Sequence, residues 1–382
     1  MDFALTDEQR LLRESVERLF ADHYAFGARN RYRHEPEGWS RSMWQRYAEL
    51  GLLGLPFDES HGGSAGGPVE TMIVMEALGR ALALEPYLAT VVLAGGLLRF
   101  GASDAMRADL LPKIASGDLV LGFAYAERQA RYHLSDIAVS ARRDGVGYVI
   151  DGAKSLVLHG ESADKFVISA RLGGGQRERD GVGLFLVDAA APGLSRRGYA
   201  TVDGLRAAEL TLTGVRVDES NVIGPPGAAF PLIERVVDMA MAALSAEAVG
   251  AMAAMHELTV DYMKTRKQFG VAIGGFQVLQ HRAADMLIAL EQARSMAMLA
   301  TMMAAEDDVR ERRQAISAAK VQIGRSGRFI GQQAIQIHGG IGMTMEYSVG
   351  HYFKRVTAID TLFGDADYHL GLLAESGGLV AA

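Results

Sequence analysis

The chain has 382 residues, of which 49% are hydrophobic, so it can bury a large core and is long enough for two or three domains. It contains no cysteine, which excludes disulfides, thiolate metal sites and cysteine nucleophiles. The formal net charge of −7 argues against a broad nucleic-acid-binding surface, while leaving room for a local basic patch that binds an acidic ligand.

The first third of the sequence is predicted to be helical. Thr6 and Gln9 form a capping-box pattern, and Leu12, Val16, Leu19 and Phe20 then fall on one helical face. Further helices are predicted over residues 40–52, 66–82 and 88–100.

Neither a signal peptide nor a membrane span is predicted. The start of the chain, MDFALTDEQR, lacks the basic and apolar regions of a signal peptide. The longest nearly apolar run, residues 88–98, is well short of the roughly 18 residues that a membrane span needs. The sequence therefore predicts a cytoplasmic protein.

The middle of the chain changes its pattern. Residues 120–222 contain short runs rich in Val, Ile, Leu, Thr and Phe, separated by clusters of Gly, Asp and Arg, as is typical of antiparallel strands. From Pro231 onward helical patterning returns and continues to the end. Helices, then strands, then helices in separate blocks predict an α+β fold rather than a doubly wound sheet.

The motifs for common cofactor sites are missing. The sequence has no GxGxxG and no GxxxxGK, and its ten histidines show no HxxxH or HExxH spacing, so no metal site is predicted. Glu247 stands out because it lies among small and apolar residues of a predicted helix. A buried carboxylate needs a partner or a function, so either a structural ion pair or a role facing a pocket is open for Glu247.

Residues 266–281, RKQFGVAIGGFQVLQH, place an arginine, three amides and a histidine around a glycine-broken corner between two predicted helices. This segment belongs to a wider pattern. Over essentially its whole length the chain resembles the acyl-CoA dehydrogenase family, through the segments LGLLGLPFDESHGGSAGG, GYVIDGAKSLVLHG, KTRKQFGVAIGGFQVLQHRAADM and QIHGGIGMTMEYSVGHYFKR.

The resemblance implies a fold and a reaction. The expected fold is an N-terminal helical domain (1–119), a central antiparallel β domain (120–228) and a C-terminal four-helix bundle (229–382). Members of the family remove the α-proton of an acyl-CoA substrate with a carboxylate, while hydride leaves Cβ for FAD. Electrons then pass to an electron-transfer flavoprotein.

The family's contacts to FAD come in two sets, and the first set is intact here. It reaches across a subunit interface to the ADP half of the cofactor. The resemblance assigns this role to Arg266, Gln268, Phe269, Gln277, Gln280, Gln336, Gly339 and Gly340. Arginine and amides donate to pyrophosphate and ribose oxygens, and glycines let backbone N–H groups approach closely.

The second set, on the chain that holds the flavin ring, is not intact. The family's Thr-Glu-Pro stretch reads Ala126-Glu127-Arg128 here, and its Lys-x-Trp-Ile-Thr-Asn motif has Leu156 and Leu158 in place of Trp and Thr. The catalytic glutamate of Tyr-Glu-Gly-Thr is replaced by Phe363. The position that carries the base in some other members is Ala240.

This one-sided loss predicts a small subunit of a heteromeric acyl-CoA dehydrogenase, most similar to the pimeloyl-CoA type. A larger acyl-CoA dehydrogenase subunit would then supply the ring pocket and the base. Two alternatives remain open. One is a self-sufficient homo-oligomeric dehydrogenase with a relocated base, either Glu247 or Asp365. The other is a non-catalytic protein that binds acyl-CoA or a partner on the same scaffold.

Overall fold

A computed structural model describes residues 4–377 of the chain. These residues form two compact units, each built from separated segments of sequence. The helical unit comprises residues 4–30, 68–83 and 241–377, and the sheet unit comprises residues 31–67 and 84–240. The domain boundaries expected near residues 119 and 228 stay a prediction.

Eleven α-helices occur in the described part of the chain: α1 (Asp7–His23), α2 (Phe26–Tyr32), α3 (Arg41–Glu49), α4 (Pro68–Ala81), α5 (Gly95–Gly101), α6 (Asp104–Ala115), α7 (Phe230–Thr265), α8 (Gln277–Met303), α9 (Val309–His338), α10 (Val349–Thr361) and α11 (Ala366–Glu375). A π-helical segment, Leu88–Ala94, leads into α5.

The strands are β1 (Leu121–Ala124), β2 (Ser140–Asp144), β3 (Gly147–Leu158), β4 (Lys165–Arg171), β5 (Val182–Asp188), β6 (Leu194–Ala200), β7 (Arg206–Asp218), β8 (Val222–Ile223), β9 (Lys267–Gln268) and β10 (Val271–Ala272). The first eight form one sheet, and β9 pairs with β10 in a separate hairpin. Helical, mainly antiparallel β and helical regions follow one another along the chain, so the predicted α+β fold class is confirmed.

Helix α1 begins as its sequence predicts. The Thr6 hydroxyl accepts a hydrogen bond from the Gln9 backbone N–H at 3.2 Å, and the Gln9 side chain accepts one from the Thr6 N–H at 3.0 Å. These two bonds satisfy N–H groups that the first helical turn leaves without partners. Val16, Leu19 and Phe20 are buried on one face and Leu12 is half-buried, so the predicted amphipathic pattern is confirmed for three of its four residues.

Helices α4 and α7 approach each other backbone to backbone. A Cβ on Gly79 would lie 1.9 Å from the carbonyl oxygen of Glu247, and a Cβ on Gly250 would lie 1.9 Å from that of Glu76. Neither distance is sterically allowed, so each glycine makes room for the main chain of the other helix. This reciprocal pair fixes how closely α4 and α7 pack.

Helix α7 is 36 residues long and apolar enough, by length and composition, to cross a membrane. However, 94% of its most apolar window is buried inside the protein. A helix that is hydrophobic around most of its circumference and buried in this way is the core helix of a globular unit.

The large sheet has the strand order β6-β7-β3-β2-β4-β5-β8, with β1 pairing with β4. Neighbouring strands are antiparallel, except that β4 runs parallel to β1 and meets the end of β2 in parallel. The longest pairing joins β3 to β7, and its register shifts between Lys154 and Val157. That bulge places Leu156 in a left-handed conformation, with φ of 48°.

The polar loop 172–181, between β4 and β5, is organised by one buried arginine. The Arg171 guanidinium donates hydrogen bonds of 2.7 to 3.5 Å to six backbone carbonyls, those of Ser135, Ile137, Gly173, Gln176, Glu178 and Asp180. Five donors in a rigid planar group can hold several carbonyls at once. The loop main chain therefore wraps around Arg171 instead of pairing as a strand.

Candidate active site

The segment 266–272 forms a two-residue β-hairpin at the end of α7. Gln268 pairs with Val271 across a turn in which both central residues, Phe269 and Gly270, have positive φ (53° and 80°). This is the backbone of a tight hairpin turn, and glycine suits its second position. The Phe269 side chain is 92% exposed, and Arg266 and Gln268 are exposed beside it.

Helix α8 begins directly after this hairpin, at Gln277. Its N-cap residue, Phe276, offers no side-chain hydrogen bond to the first turn. The N–H groups of Leu279 and Gln280 bond to the Phe276 carbonyl, at 3.0 and 3.2 Å, so the capping leaves those of Gln277 and Val278 at the start of this 27-residue helix without a side-chain acceptor. The Gln277 and Gln280 side chains are exposed beside them, and the Gln280 amide donates to the Gly274 carbonyl at 2.8 Å. Such a helix start attracts anions, phosphate groups in particular.

At two positions of this region, neither the backbone conformation nor the packing within the chain requires glycine. A Cβ on Gly275 or on Gly340 would meet no atom within 4 Å, and neither residue has a positive φ. Gly339, the C-cap of α9, also has open space around it but does have a positive φ of 63°. The space beside Gly275 and Gly340 suits the close approach of a molecule from outside the chain.

A stack of two rings connects this hairpin region with the end of α9. The His338 ring lies on the Tyr262 ring, with centroids 4.5 Å apart. Tyr262 lies four residues before Arg266, and His338 follows Gln336 by two residues. The structure therefore brings the two predicted ADP-binding segments, 266–280 and 336–340, onto one exposed surface of the helical unit, called the clamp surface below.

The positions that match the flavin-ring pocket lie in the sheet unit, two of them on β3 and others in the segment between β1 and β2. Leu156 is at the bulge and half-buried, and Leu158 is buried at the end of the strand. Neither side chain can donate a hydrogen bond or stack as an indole does. Arg128, which replaces the family's proline, is exposed and forms an ion pair of 2.6 Å with Glu209.

A fully buried ion pair lies beneath these positions. Lys154 Nζ donates to the carboxylate of Glu127 at 2.7 Å and to the hydroxyl of Ser169 at 3.0 Å. The Lys154 side chain is 0% exposed and that of Glu127 is 3% exposed. Burial lowers the pKa of Lys154 to about 8, although the nearby Glu127 carboxylate opposes this shift. The ammonium and the carboxylate therefore remain paired at neutral pH.

Glu247, one of the two predicted relocated bases, is engaged in a second buried ion pair. Its carboxylate accepts bidentate hydrogen bonds from Arg355 Nε at 2.6 Å and Nη2 at 2.9 Å. Both side chains are at least nine-tenths buried. A buried carboxylate needs a partner, and the two hydrogen bonds from Arg355 provide one. The burial of Glu247 is therefore explained without a catalytic role.

Replacing Glu247 by glutamine is expected to lower the free energy of unfolding by about 3 kcal/mol, because the buried Arg355 charge loses its counterion. Chemical denaturation measures this directly. Glu257, on the same helix, forms an exposed pair with Arg80, so Glu257→Gln should lower stability by less than about 1 kcal/mol. Unchanged stability with abolished turnover in Glu247→Gln would instead assign Glu247 the role of the base.

The loop that carries the base in the family follows α10 and holds Phe363, which is buried with a φ of 60°. The fully buried Lys320 Nζ donates to the carbonyls of Ile359, Asp360 and Leu362 at 2.8, 3.1 and 2.9 Å. Three carbonyls at the end of a helix are good acceptors for a cation. The backbone of this loop is thus firmly held, although Phe363 stands where the family has a glutamate.

His369 supports the same loop from α11. Its Nε2 lies 3.2 Å from the Phe363 carbonyl oxygen, which can only accept, so Nε2 carries the proton. Its Nδ1 then accepts from the Ser317 hydroxyl at 3.1 Å. Burial lowers the pKa of His369 to about 3, so this histidine is neutral at physiological pH.

Asp365, the other predicted relocated base, is the N-cap of α11. Its carboxylate accepts a hydrogen bond of 2.8 Å from the backbone N–H of Tyr368. This contact satisfies a first-turn donor of the helix and stabilises a negative charge there. The geometry gives Asp365 a structural task, and its catalytic role stays a prediction.

Sequence reasoning does not find Arg355, Lys154 or Lys320 as partners of the residues that it singles out. Arg355 lies 108 positions from Glu247, and Lys154 lies 27 positions from Glu127. No periodicity connects residues so far apart. The one available signal is that Glu127 and Lys154 both survive inside family motifs whose other polar residues are lost.

Three family models match nearly the whole chain. The acyl-CoA dehydrogenase N-terminal domain matches residues 6–118, the middle domain residues 122–215 and the C-terminal domain residues 230–378. YngJ of Bacillus subtilis (strain 168), described as a probable acyl-CoA dehydrogenase, is 31% identical over 91% of this chain and 92% of its own length.

Two solved structures are also similar. A variant of the steroid ACAD Tcur3481-Tcur3483 has a TM-score of 0.87 at 29% identity and covers 97% of both chains. The ChsE4-ChsE5 complex from Mycobacterium tuberculosis has a TM-score of 0.89 at 25% identity and covers 100% of both chains.

The chain therefore belongs to the acyl-CoA dehydrogenase family, a class of flavoprotein oxidoreductases, and its cofactor is FAD. The predicted membership is confirmed. The small-subunit type and the likeness to pimeloyl-CoA dehydrogenases stay predictions.

Proposed function

We propose that this chain is one subunit of a heteromeric acyl-CoA dehydrogenase and that it grips the ADP half of an FAD whose ring lies in a larger partner subunit. The observation that carries the proposal is the clamp surface. All eight predicted ADP-binding residues on it are exposed, and Gly275 and Gly340 leave space there that nothing in this chain requires.

The chemistry of the clamp surface fits a dinucleotide. The Arg266 guanidinium would neutralise pyrophosphate charge, and the amides of Gln268, Gln277 and Gln280 would donate to phosphate and ribose oxygens. The start of α8 would add the backbone N–H groups of Gln277 and Val278 and a partial positive charge. An FAD held here would supply the hydride acceptor for Cβ of the acyl group and the route for electrons to an electron-transfer flavoprotein.

The residues of this chain that match the flavin-ring pocket and the catalytic base fit their roles less well than the clamp surface fits the ADP half. Leu156 and Leu158 offer no donor, and Phe363 cannot accept a proton. Glu247 and Asp365 are both engaged in structural contacts. A partner that retains the aromatic wall and the carboxylate would supply what this chain lacks.

The surroundings of the clamp surface suit burial against another subunit. Seven large hydrophobic side chains are exposed in residues 269–278 and 341–345, within or next to the clamp segments: Phe269, Val271, Phe276, Val278, Ile341, Met343 and Met345. Clustered exposed apolar residues commonly mark interfaces. Two of the similar structures are named for pairs of proteins, Tcur3481-Tcur3483 and ChsE4-ChsE5, which also favours a two-chain enzyme.

The proposal is tested by purifying the chain alone and together with a longer acyl-CoA dehydrogenase from the same organism that retains the Tyr-Glu-Gly-Thr and Trp-x-Thr motifs. Flavin absorbance and dye-linked oxidation are measured for both. We expect little flavin and no turnover alone, and both in the complex. Full flavin content and turnover by this chain alone would contradict the proposal.

Substitutions on the clamp surface distinguish an effect on FAD binding from an effect on folding. In the complex, Arg266→Gln is expected to weaken FAD retention by about tenfold or more, because a charge-assisted contact to phosphate is lost. Lys264→Gln, two residues away and also exposed, is the matched control and should retain FAD normally, since among residues 4–377 Lys264 pairs only with the exposed Asp261. If both variants retain FAD like the parent, Arg266 is not part of the site.

Two acyl groups are the first to assay. The resemblance to the pimeloyl-CoA type suggests a dicarboxylic acyl-CoA, and the structure named for a steroid enzyme suggests a steroid-derived acyl-CoA. If no partner restores chemistry but acyl-CoA still binds, the non-catalytic alternative is favoured instead.

A further inference from the structure

The helical unit contains an open cleft of about 990 Å³ that the flavin chemistry does not use. Helices α1, α4, α7 and α8 enclose it. Its volume is at the upper end of the range for small-molecule sites. The α1 wall extends from Gln9 to Ala21, roughly 18 Å at 1.5 Å rise per residue, so the cleft is elongated.

Small side chains create the floor of this cleft. Ala77 on α4, Ala246 on α7 and Ala297 on α8 are buried and face the same space, together with Val249 and Thr301. The Thr301 hydroxyl donates to the Ala297 carbonyl at 2.9 Å, so its polar group is satisfied within α8. The floor is therefore apolar. None of these five side chains offers a ligand a polar group that lacks a hydrogen-bond partner.

The rim carries three arginines, and two of them already have carboxylate partners. Arg80 pairs with Glu257, and Arg294 lies 2.6 Å from Glu76. The Arg13 guanidinium makes no hydrogen bond and no ion pair with any residue between 4 and 377, although Glu17 lies one turn further along α1 and also lines the cleft. Among the described residues, this cationic group on the rim thus has no counterion.

The cleft is separate from the positions that match the family's catalytic groups. Ala246 and Val249 face the cleft, whereas Ala240 matches a base position on the same helix. Nine residues from Ala240 to Val249 advance the helix by about 2.5 turns, which places them on opposite faces. A ligand in the cleft would therefore not occupy the substrate position at Ala240.

We infer that this cleft is a second binding site, which takes a long-chain fatty acid with its hydrocarbon tail on the alanine floor and its carboxylate at Arg13. An apolar, elongated floor matches a single alkyl chain. The single uncompensated guanidinium matches one negative charge, and a guanidinium binds a carboxylate through two parallel hydrogen bonds. The site is independent of the proposed heteromer, so either can fail without the other.

The probe is the fluorescent fatty acid cis-parinarate, titrated into the full chain and displaced by hexadecanoate. We expect one saturable site per chain. Saturating acyl-CoA should leave this binding in place, because that ligand belongs to the catalytic positions. Hexadecanol, which has the same tail without the charge, should displace the probe at least about tenfold more weakly than hexadecanoate.

Four variants locate the site. Ala21→Leu on the exposed wall and Ala297→Phe on the floor fill the cleft and should abolish binding, and Ala21→Leu keeps the experiment decisive if the floor variant does not fold. Arg13→Gln should weaken binding by about tenfold. Arg18→Gln, exposed on α1 outside the cleft, is its matched control and should bind as the parent does.

Several outcomes would overturn the inference. These are the absence of saturable binding, binding that survives Ala21→Leu, equal affinity for hexadecanol and hexadecanoate, or displacement by vesicles of anionic phospholipid but not by hexadecanoate. The last result would assign the cleft to a membrane surface instead.

Discussion

Lys154→Met is expected to lower the free energy of unfolding by about 3 to 5 kcal/mol, because it leaves the Glu127 carboxylate buried without its counterion. Glu127 would keep its hydrogen bonds from the backbone N–H groups of Ala138 and Val139, at 2.8 and 3.3 Å, but these do not neutralise its charge. Urea denaturation followed by circular dichroism measures the change.

A double variant identifies the cause of this loss. Glu127→Gln combined with Lys154→Met removes both charges and keeps an oxygen for the two backbone donors. It should be more stable than Lys154→Met alone by about 2 kcal/mol, and it should lose less than the two single variants added together, because groups in direct contact are energetically coupled. If the double variant loses as much as the two single variants added together, the two side chains are not energetically coupled and the ion pair is not what stabilises this region.

Gly79→Ala and Gly250→Ala are each expected to destabilise the helical unit by about 3 kcal/mol, the range found for overpacked cores. A methyl group at either position would lie 1.9 Å from a backbone carbonyl oxygen of the facing helix, and neither helix can give way by moving a side chain. The midpoint of thermal or chemical unfolding reports the loss.

Gly371→Ala is the matched control for these two variants. Gly371 also lies inside a helix, α11, but a Cβ there would meet nothing within 4 Å. Alanine should be neutral or stabilising by up to about 1 kcal/mol at this position, since it restricts the unfolded chain. A similar loss in all three variants would contradict contact between α4 and α7 as the cause, because alanine has the higher helix propensity and meets no atom at position 371.

The elements of the fold could be predicted from local patterns. The capping box at Thr6 and the burial of Val16 and Leu19 need only the helical period, and the strand runs of residues 147–158 and 182–188 need only composition and spacing. The interleaving of segments 4–30, 68–83 and 241–377 in one compact unit has no such local signal. It depends on long-range contacts such as those that Gly79 and Gly250 allow.

The sequence predicts the clamp surface better than it predicts the contacts of the candidate catalytic residues. The clamp residues can be recognised because they form short, continuous motifs, and the hairpin places them as a group on one surface. The sequence leaves the role of Glu247 open between an ion pair and a pocket. Its contact with Arg355 cannot be read from the sequence, because no pattern specifies which of 39 lysines and arginines approaches a buried carboxylate.

The way in which Arg171 holds the loop 172–181 has a consequence for how this segment can vary. Every contact from the guanidinium goes to a main-chain carbonyl, so the side chains of Gln176 and Glu178 are not needed for these bonds. Substitution of these two side chains therefore leaves the contacts from Arg171 in place, although Gln176 also donates to Asp136 at 2.7 Å and Gly181 has no room for a Cβ. Arg171 itself has no equivalent, because lysine, with three donors on a single nitrogen, cannot reproduce the fork of contacts.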